Sequence, residues 1–159
     1  MTRKNIHILL LTVLLIISCD KLSPFAGKPS LPKTMIPLPT YYSIDSINDF
    51  KILNIQEPIK LSLNQNFTVT GWAVDILAKD AAGGVIIDID GKLYSAHYGG
   101  DRKDVANFYK MPTYEYSMFI AQIPASIIGP GKHVLSIKIL TKDKSAYYST
   151  EQRVLFEIN

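Results

Sequence analysis

The chain has 159 residues, of which 47% are hydrophobic and 19% charged, and its formal net charge is +3 at pH 7. This length allows one domain of ordinary size with a short leader. Arg3 and Lys4 account for two of the 17 basic residues, and without them 15 basic residues stand against 14 acidic ones. The chain therefore lacks the basic excess of nucleic-acid-binding proteins, so no nucleic-acid partner is expected.

The first 19 residues have the features of an export signal. Arg3 and Lys4 precede an apolar run over residues 6–17, which is too short to cross about 30 Å of hydrocarbon comfortably. The four residues I-I-S-C that end at Cys19 resemble the lipobox of bacterial lipoproteins, in which cleavage occurs before an acylated cysteine. The resemblance implies a signal peptide over residues 1–18 and a lipidated Cys19. The alternative is an ordinary signal peptide with a cysteine near its cleavage site.

The lipobox resemblance also implies a location. Acyl chains on Cys19 would hold the mature chain on a membrane of the bacterial cell envelope, on the periplasmic side, without a spanning helix. Asp20 directly follows and resembles the signal that retains enterobacterial lipoproteins in the inner membrane. Because that signal differs between lineages, the inner and outer membranes both remain open. Cys19 is the only cysteine, so it has no partner for an intramolecular disulfide.

Residues 19–43 predict a tether between the lipid and the domain. Proline-rich segments favour an extended conformation of about 3.1 Å per residue, long enough here to hold a domain tens of ångströms from the bilayer. The alternatives are disorder without a spacing role and a proline-rich ligand motif for a partner domain. Five of the nine prolines of the chain lie in this segment: Pro24, Pro29, Pro32, Pro37 and Pro39.

Residues 44–159 alternate apolar and polar side chains with a period of two, which is typical of β-strands. Turn residues separate the runs at intervals of about ten positions. The pattern predicts an all-β domain of two stacked sheets. The main predicted strands are residues 67–75, 84–90, 92–98, 114–123, 133–141 and 153–158, with shorter strands over 46–54 and 59–63.

Asp90 and Gly91 give the clearest local signal. Asp-Gly supplies the positive φ angles that a two-residue type I′ hairpin needs. The predicted register pairs Ile89 with Lys92, Ile87 with Tyr94 and Val85 with Ala96. Alternation then predicts buried faces formed by Val85, Ile87, Tyr94 and Ala96, by Phe119, Ala121 and Ile123, and by Leu135, Ile137 and Ile139.

One short helix is predicted over residues 105–109. Asp101 is placed to cap its start, and Asp104 would be the acidic partner three residues on.

Several segments in chain order resemble a bacterial Ig-like β-sandwich found in surface and membrane-attached proteins. The marks are G-W-x-x-D within T-V-T-G-W-A-V-D (68–75), a V-D-G-like hairpin at I-D-G (89–91) and R-x-D-V at 102–105. The resemblance implies a sandwich of seven or eight antiparallel strands with one short helix, and it carries over no catalytic residue. The chain departs from the pattern at Ile89, where valine is usual, and in lacking a glycine before Phe119.

Catalytic and metal-binding motifs are not found in the sequence. His97 and His133 are the only histidines after the signal peptide, whereas a catalytic zinc site normally takes three protein ligands. Asp88 and Asp90 superficially resemble a calcium loop, but the hairpin explains both residues. We therefore expect no cofactor, no metal and no enzymatic activity.

The candidate site residues have both functional and structural interpretations. Asp75, Arg102 and Asp104 are the charged members of the motifs and either bind a polar ligand or tie a loop to the domain. Trp72 is either a flat platform for a sugar or part of the core. Four tyrosines are candidates for a recognition surface because they combine apolar area with a polar tip: Tyr114, Tyr116, Tyr147 and Tyr148.

The sequence thus predicts a lipid-anchored envelope protein that presents a non-catalytic β-sandwich for binding or assembly. The alternative is a periplasmic carbohydrate-binding module. A protein partner predicts an exposed apolar patch or an unpaired sheet edge, whereas a glycan predicts coplanar exposed aromatic rings in a groove.

Overall fold

A computed structural model describes residues 29–54 and 57–159. The predicted signal peptide, Cys19 and Asp20 lie outside these residues. The strands of the described part are β1 (Thr34–Ile36), β2 (Tyr42–Ile47), β3 (Phe50–Lys51), β4 (Ile59–Leu61), β5 (Asn66–Asp75), β6 (Asp80–Ala81), β7 (Gly84–Ile89), β8 (Lys92–Ser95), β9 (His97–Gly100), β10 (Met118–Pro124), β11 (Gly131–Leu140), β12 (Ala146–Ser149) and β13 (Val154–Ile158). Two short α-helices accompany them, α1 (Lys103–Tyr109) and α2 (Ala125–Ile128), with 3₁₀ turns at Ile52–Asn54 and Pro112–Tyr114.

The strands form two sheets. In the first sheet, of seven strands, β11 is central: it pairs with β7 on one side and with β12 and β13 on the other, and β8, β1 and β4 lie outside these. In the second sheet, of six strands, the order is β3-β2-β5-β10-β9, and β6 pairs with the end of β5. Most pairs are antiparallel, but β1 runs parallel to β12 and β4 parallel to β13.

The core lies between the two sheets, whose inner faces contribute to one hydrophobic cluster. The rings of Phe67 on β5 and Phe156 on β13 meet across it with centroids 5.5 Å apart. The alternating pattern predicted the inner residues of β10 and β11 correctly, because all six are at most 1% exposed: Phe119, Ala121, Ile123, Leu135, Ile137 and Ile139.

The predicted hairpin is confirmed. Asp90 and Gly91 have φ angles of 51° and 82°, and Ile89 pairs with Lys92 and Ile87 with Tyr94. Residues 92–98, however, do not form the single predicted strand. The chain leaves the first sheet after Ser95 and joins the second as β9, where it pairs with β10. The predicted pair of Val85 and Ala96 therefore lies beyond the ladder, and this change of sheet connects the two layers along one side.

The folded part begins earlier than residue 44. Thr34–Ile36, within the range assigned to the tether, pairs with β12, and β2 begins at Tyr42. Thr40 is buried, and its hydroxyl donates to the carbonyl of Val74 at 2.6 Å. The three residues of β1 lie between Pro32 and Pro37 and keep their backbone N–H groups, so a short edge strand is compatible with the flanking prolines.

The described residues contain thirteen strands, two parallel pairs and a second short helix, α2, where the sequence predicted seven or eight antiparallel strands and one helix. Two predicted elements also have different bounds. The strand predicted over residues 114–123 begins only at Met118, because Pro112–Tyr114 forms a 3₁₀ turn. The helix begins at Lys103, and Asp101 Oδ1 accepts the backbone N–H of Lys103 at 3.0 Å. Arg102 holds the cap position without a side-chain cap, so Asp101 supports the helix start from one residue further out.

The hairpin turn generates a stability prediction. Replacing Gly91 by valine adds a β-branched side chain at φ 82°, a conformation that costs such residues about 1–2 kcal/mol. Because a new Cβ there meets no atom within 4 Å, the cost is conformational and not steric. We expect Gly91→Val to lower the Tm by roughly 3–8 °C in a thermal unfolding scan. Ser95→Val, on an exposed strand position of the same hairpin, is the matched control and should shift Tm little. A Gly91→Val change below one degree would contradict the turn.

Candidate functional site

The structure divides the predicted site residues between two places. Asp75 and Tyr148 meet between the sheets, whereas Trp72, Arg102, Asp104 and Tyr114 surround α1. Tyr114 and Tyr148 are buried, at 3% and 0% exposure, so neither belongs to a recognition surface as the sequence suggested. Tyr116 is exposed, and Tyr147 is half-buried on the outer face of the first sheet.

Asp75 is a buried carboxylate at the end of β5. Its Oδ1 accepts the backbone N–H groups of Leu77 at 3.1 Å and Ala78 at 3.2 Å, and the hydroxyl of Tyr148 at 2.5 Å. Its Oδ2 accepts the backbone N–H of Lys142 at 2.8 Å. Burial and this neighbouring carboxylate raise the pKa of the Tyr148 hydroxyl well above its ordinary value, so it stays a donor. The carboxylate is engaged within the protein, which supports a structural role.

Arg102 forms a second polar node. Its Nη1 donates to Asp45 at 2.7 Å, while Nε and Nη2 donate to the two carboxylate oxygens of Asp104, each at 2.8 Å. The guanidinium carbon lies 5.9 Å from the ring centroid of Trp72. The hydrogen bonds to Asp104, followed by the charge of Asp45, raise the pKa of Arg102 despite partial burial. Because Asp45 belongs to β2, the node ties the start of α1 to the second sheet.

An aromatic cluster lies beside this node, with Tyr109 of α1 at its centre. The ring of Tyr109 stacks on Tyr41 at 4.7 Å and meets Phe108 edge-on at 4.9 Å. Trp72 and Tyr114 complete the cluster at 5.8 and 5.9 Å from Tyr109. We call these five residues the aromatic cluster.

The aromatic cluster is buried on one side and exposed on the other. Val74 of the second sheet and Val105 and Ala106 of α1 pack against its buried side. Phe108 is 79% exposed and Tyr41 42% exposed, so they form its outer edge. Sequence reasoning singled out neither as a site residue. Helix periodicity could have identified Phe108. Val105 and Tyr109 are four residues apart and lie on the packed face of α1, whereas Phe108 points away from that face.

The ring geometry limits the chemistry of the aromatic cluster. Tyr109 meets Trp72, Tyr114 and Phe108 at interplanar angles of 58°, 71° and 78°. The rings of Tyr41 and Tyr109 are nearly parallel, at 18°, and they stack on each other. Each ring therefore covers one face of the other. The cluster therefore offers an apolar edge and not a coplanar platform.

A groove of about 690 Å³ lies beside Asp75 and the turn between β11 and β12. Its second carboxylate, Asp143, accepts hydrogen bonds from the Thr141 hydroxyl at 2.6 Å and from the Ser145 N–H at 3.0 Å. These bonds lower the pKa of Asp143 to about 2, because they stabilise the ionised form. Both carboxylates thus serve the local turns.

Two features are absent from residues 29–54 and 57–159. No group of three or more His, Cys, Asp or Glu side chains is placed to hold a metal ion there. In the same residues, no helix has the length and apolar character needed to cross a membrane.

Comparison with known proteins gives no match, whether to a protein-family model, a curated protein or a solved structure.

Adjacent tyrosines on β12 provide a matched test of the Asp75 node. Tyr148→Phe removes one donor from a buried carboxylate and should destabilise the fold by about 1.5–3 kcal/mol. Tyr147→Phe removes the same atom from the neighbouring, half-buried position on the other face of the strand, and should cost less than about 0.5 kcal/mol. Urea unfolding measures both as shifts in midpoint at constant m. Equal losses of stability in the two variants would contradict a stabilising hydrogen bond from Tyr148 to Asp75.

Proposed function

We propose that this chain is a lipid-anchored protein of the bacterial cell envelope whose folded part is a non-catalytic binding module. The lipobox-like sequence ending at Cys19 supports the anchor. Acyl chains on that cysteine would supply the membrane attachment.

We further propose that the folded part is an Ig-like β-sandwich. Two mainly antiparallel sheets that share one core support this assignment. The motif residues also occupy coherent places: Gly71, Trp72 and Asp75 lie on β5, the I-D-G segment makes the hairpin, and R-x-D-V begins α1.

The observation that carries the binding role is the exposed edge of the aromatic cluster. Phe108 is 79% exposed, so a partner that covers it removes apolar area from water. This burial lowers the free energy of the complex. Its neighbours hold it in place, since Tyr109 packs against Phe108 and the Arg102 node ties α1 to the sheet. A rigid aromatic side chain loses little conformational entropy on binding.

The ring geometry favours a partner that presents an apolar surface over a glycan. Sugar-binding sites typically present coplanar aromatic faces, whereas here Tyr41 and Tyr109 cover one face of each other and the remaining rings meet Tyr109 at 58–78°. A carbohydrate-binding module remains the alternative proposal, and the crosslinking experiment below separates the two.

The anchor is tested by substitution. If Cys19 carries the acyl chains, Cys19→Ser should abolish lipid labelling and move the chain from the membrane fraction to the aqueous fraction. Phe108→Ala is the matched control, because it alters an exposed side chain of the domain and should leave lipid labelling unchanged. Full membrane retention of a cleaved, unlabelled Cys19→Ser chain would contradict the lipoprotein assignment.

The binding surface is tested by photocrosslinking in intact envelopes. A benzophenone amino acid at position 108 should give several-fold more adduct than the same probe at position 155, where Leu155 is 54% exposed on the first sheet. Mass spectrometry of the adducts identifies their chemistry, and a glycan adduct would support the carbohydrate-binding alternative. Equal adduct yields at the two positions would contradict the aromatic cluster as the binding surface.

A further inference from the structure

The chain enters the folded domain at one particular end. β1 runs parallel to β12, and Thr34 is opposite Ala146 at the start of both strands. Ala146 directly follows the turn that connects β11 to β12, where its carbonyl accepts the N–H of Thr141 at 2.9 Å. The segment that leads back from Thr34 toward Cys19 therefore starts beside this turn.

Other loops meet at the same end. Asp75 joins the turn after β5 to the turn after β11 through its bonds to Leu77 and Lys142. The 3₁₀ turn after α1 adjoins them, since the Thr113 hydroxyl donates to the carbonyl of Lys79 at 2.6 Å. Tyr41 lies at this end of the domain as well, because its carbonyl accepts the N–H of Val74, next to Asp75, at 3.1 Å. We call this the entry end: residues 76–79, 141–145 and 103–114, with Thr34 and Tyr41.

Exposed apolar side chains project from the entry end. Phe108 and Leu77 are 79% and 60% exposed, and Tyr41 adds a ring with a polar tip. Aromatic and aliphatic side chains of this kind are favoured at the boundary between lipid headgroups and acyl chains.

Exposed lysines accompany these apolar residues. Lys79, Lys110 and Lys144 occupy turn positions with φ of 52°, 53° and 60°, and none forms an ion pair with a described residue. The acidic side chains nearby are engaged within the domain: Asp104 with Arg102, Asp101 and Glu115 with Lys103, Asp80 with Lys142, and Asp143 with Thr141 and Ser145. Asp143 keeps its negative charge, because Thr141 and Ser145 are neutral, so three lysines and one aspartate at the entry end have no ion pair with a described residue.

We propose that the entry end docks on the anionic lipid surface to which Cys19 is anchored. Phe108 and Leu77 enter the headgroup boundary, and Lys79, Lys110 and Lys144 face the lipid phosphates. This inference rests on the lipid anchor of the proposed function and names the partner of the aromatic cluster. Because Thr34 already belongs to the fold, the connection to Cys19 is shorter than the predicted tether of residues 19–43. It keeps the entry end at an effective concentration on the order of millimolar, so weak contacts suffice.

The opposite end provides the internal control. The tip of the β7–β8 hairpin lies there, and Asp90 Oδ1 accepts the N–H of Val134 at 3.0 Å. Leu155 is paired with Val134, so it is exposed far from the entry end while being about as apolar and as accessible as Leu77.

The test places one reporter at each end of the full acylated chain. Cys19 is the only cysteine and is blocked when acylated, so Leu77→Cys, Phe108→Cys and Leu155→Cys each introduce a single reactive thiol. Each variant is labelled with nitrobenzoxadiazole and reconstituted into vesicles of phosphatidylcholine and phosphatidylglycerol. We expect blue-shifted emission at positions 77 and 108, with several-fold weaker quenching by aqueous iodide than at position 155.

The outcomes separate the two proposals. Retention in the vesicles with equal quenching at all three positions overturns the docking and leaves the anchor intact. Recovery of the wild-type chain in the aqueous fraction overturns the anchor and the docking with it. Shielding of position 108 in native envelopes but not in protein-free vesicles also overturns lipid docking, because the partner is then another envelope component.

Lys79→Glu, Lys110→Glu and Lys144→Glu in one chain should abolish the shielding, whereas its persistence overturns the role of the lysines.

Discussion

A single buried carboxylate joins the two sheets at one end of the molecule. Asp75 ends β5 of the second sheet, whereas two of its donors, the backbone of Lys142 and the hydroxyl of Tyr148, belong to the first. A carboxyl group is tolerated in such a place only when its oxygens are satisfied by hydrogen bonds. The aspartate of the G-W-x-x-D pattern is therefore explained by architecture, since an apolar residue of similar size would fill the space but release the turns.

The same strand connects this node to the aromatic cluster. Trp72 lies three residues before Asp75 on β5 and points to the outer face, where Arg102 and Tyr109 contact it. Arg102 joins α1 to Asp45 of β2, so a helix of only seven residues is held by side chains and not by its own length. The helix that carries the exposed Phe108 is thereby anchored to the second sheet, and anchoring of this kind lowers the entropic cost of binding.

Local chemistry explains which parts of the fold were predictable. The Asp90–Gly91 turn and the alternation along β10 and β11 are encoded within a few consecutive residues, and both agree with the structure. The change of sheet at Ala96 and the pairing of Thr34–Ile36 depend on partners distant in the chain, so periodicity does not reveal them. The tyrosines show the same limit: alternation requires one of Tyr147 and Tyr148 to face outward, but only the position of Asp75 decides that Tyr148 is the inner one.

Burial of Asp75 also determines what the entry end presents. The carboxylate holds the N–H groups of Leu77 and Ala78 on one turn and of Lys142 on the other. These two turns carry Leu77, Lys79 and Lys144 as exposed side chains. An apolar side chain that is exposed in the unbound state leaves water when it enters a lipid surface. Its transfer lowers the free energy of the docked state. The carboxylate that joins the sheets thus also positions the two turns that carry most of the proposed docking residues.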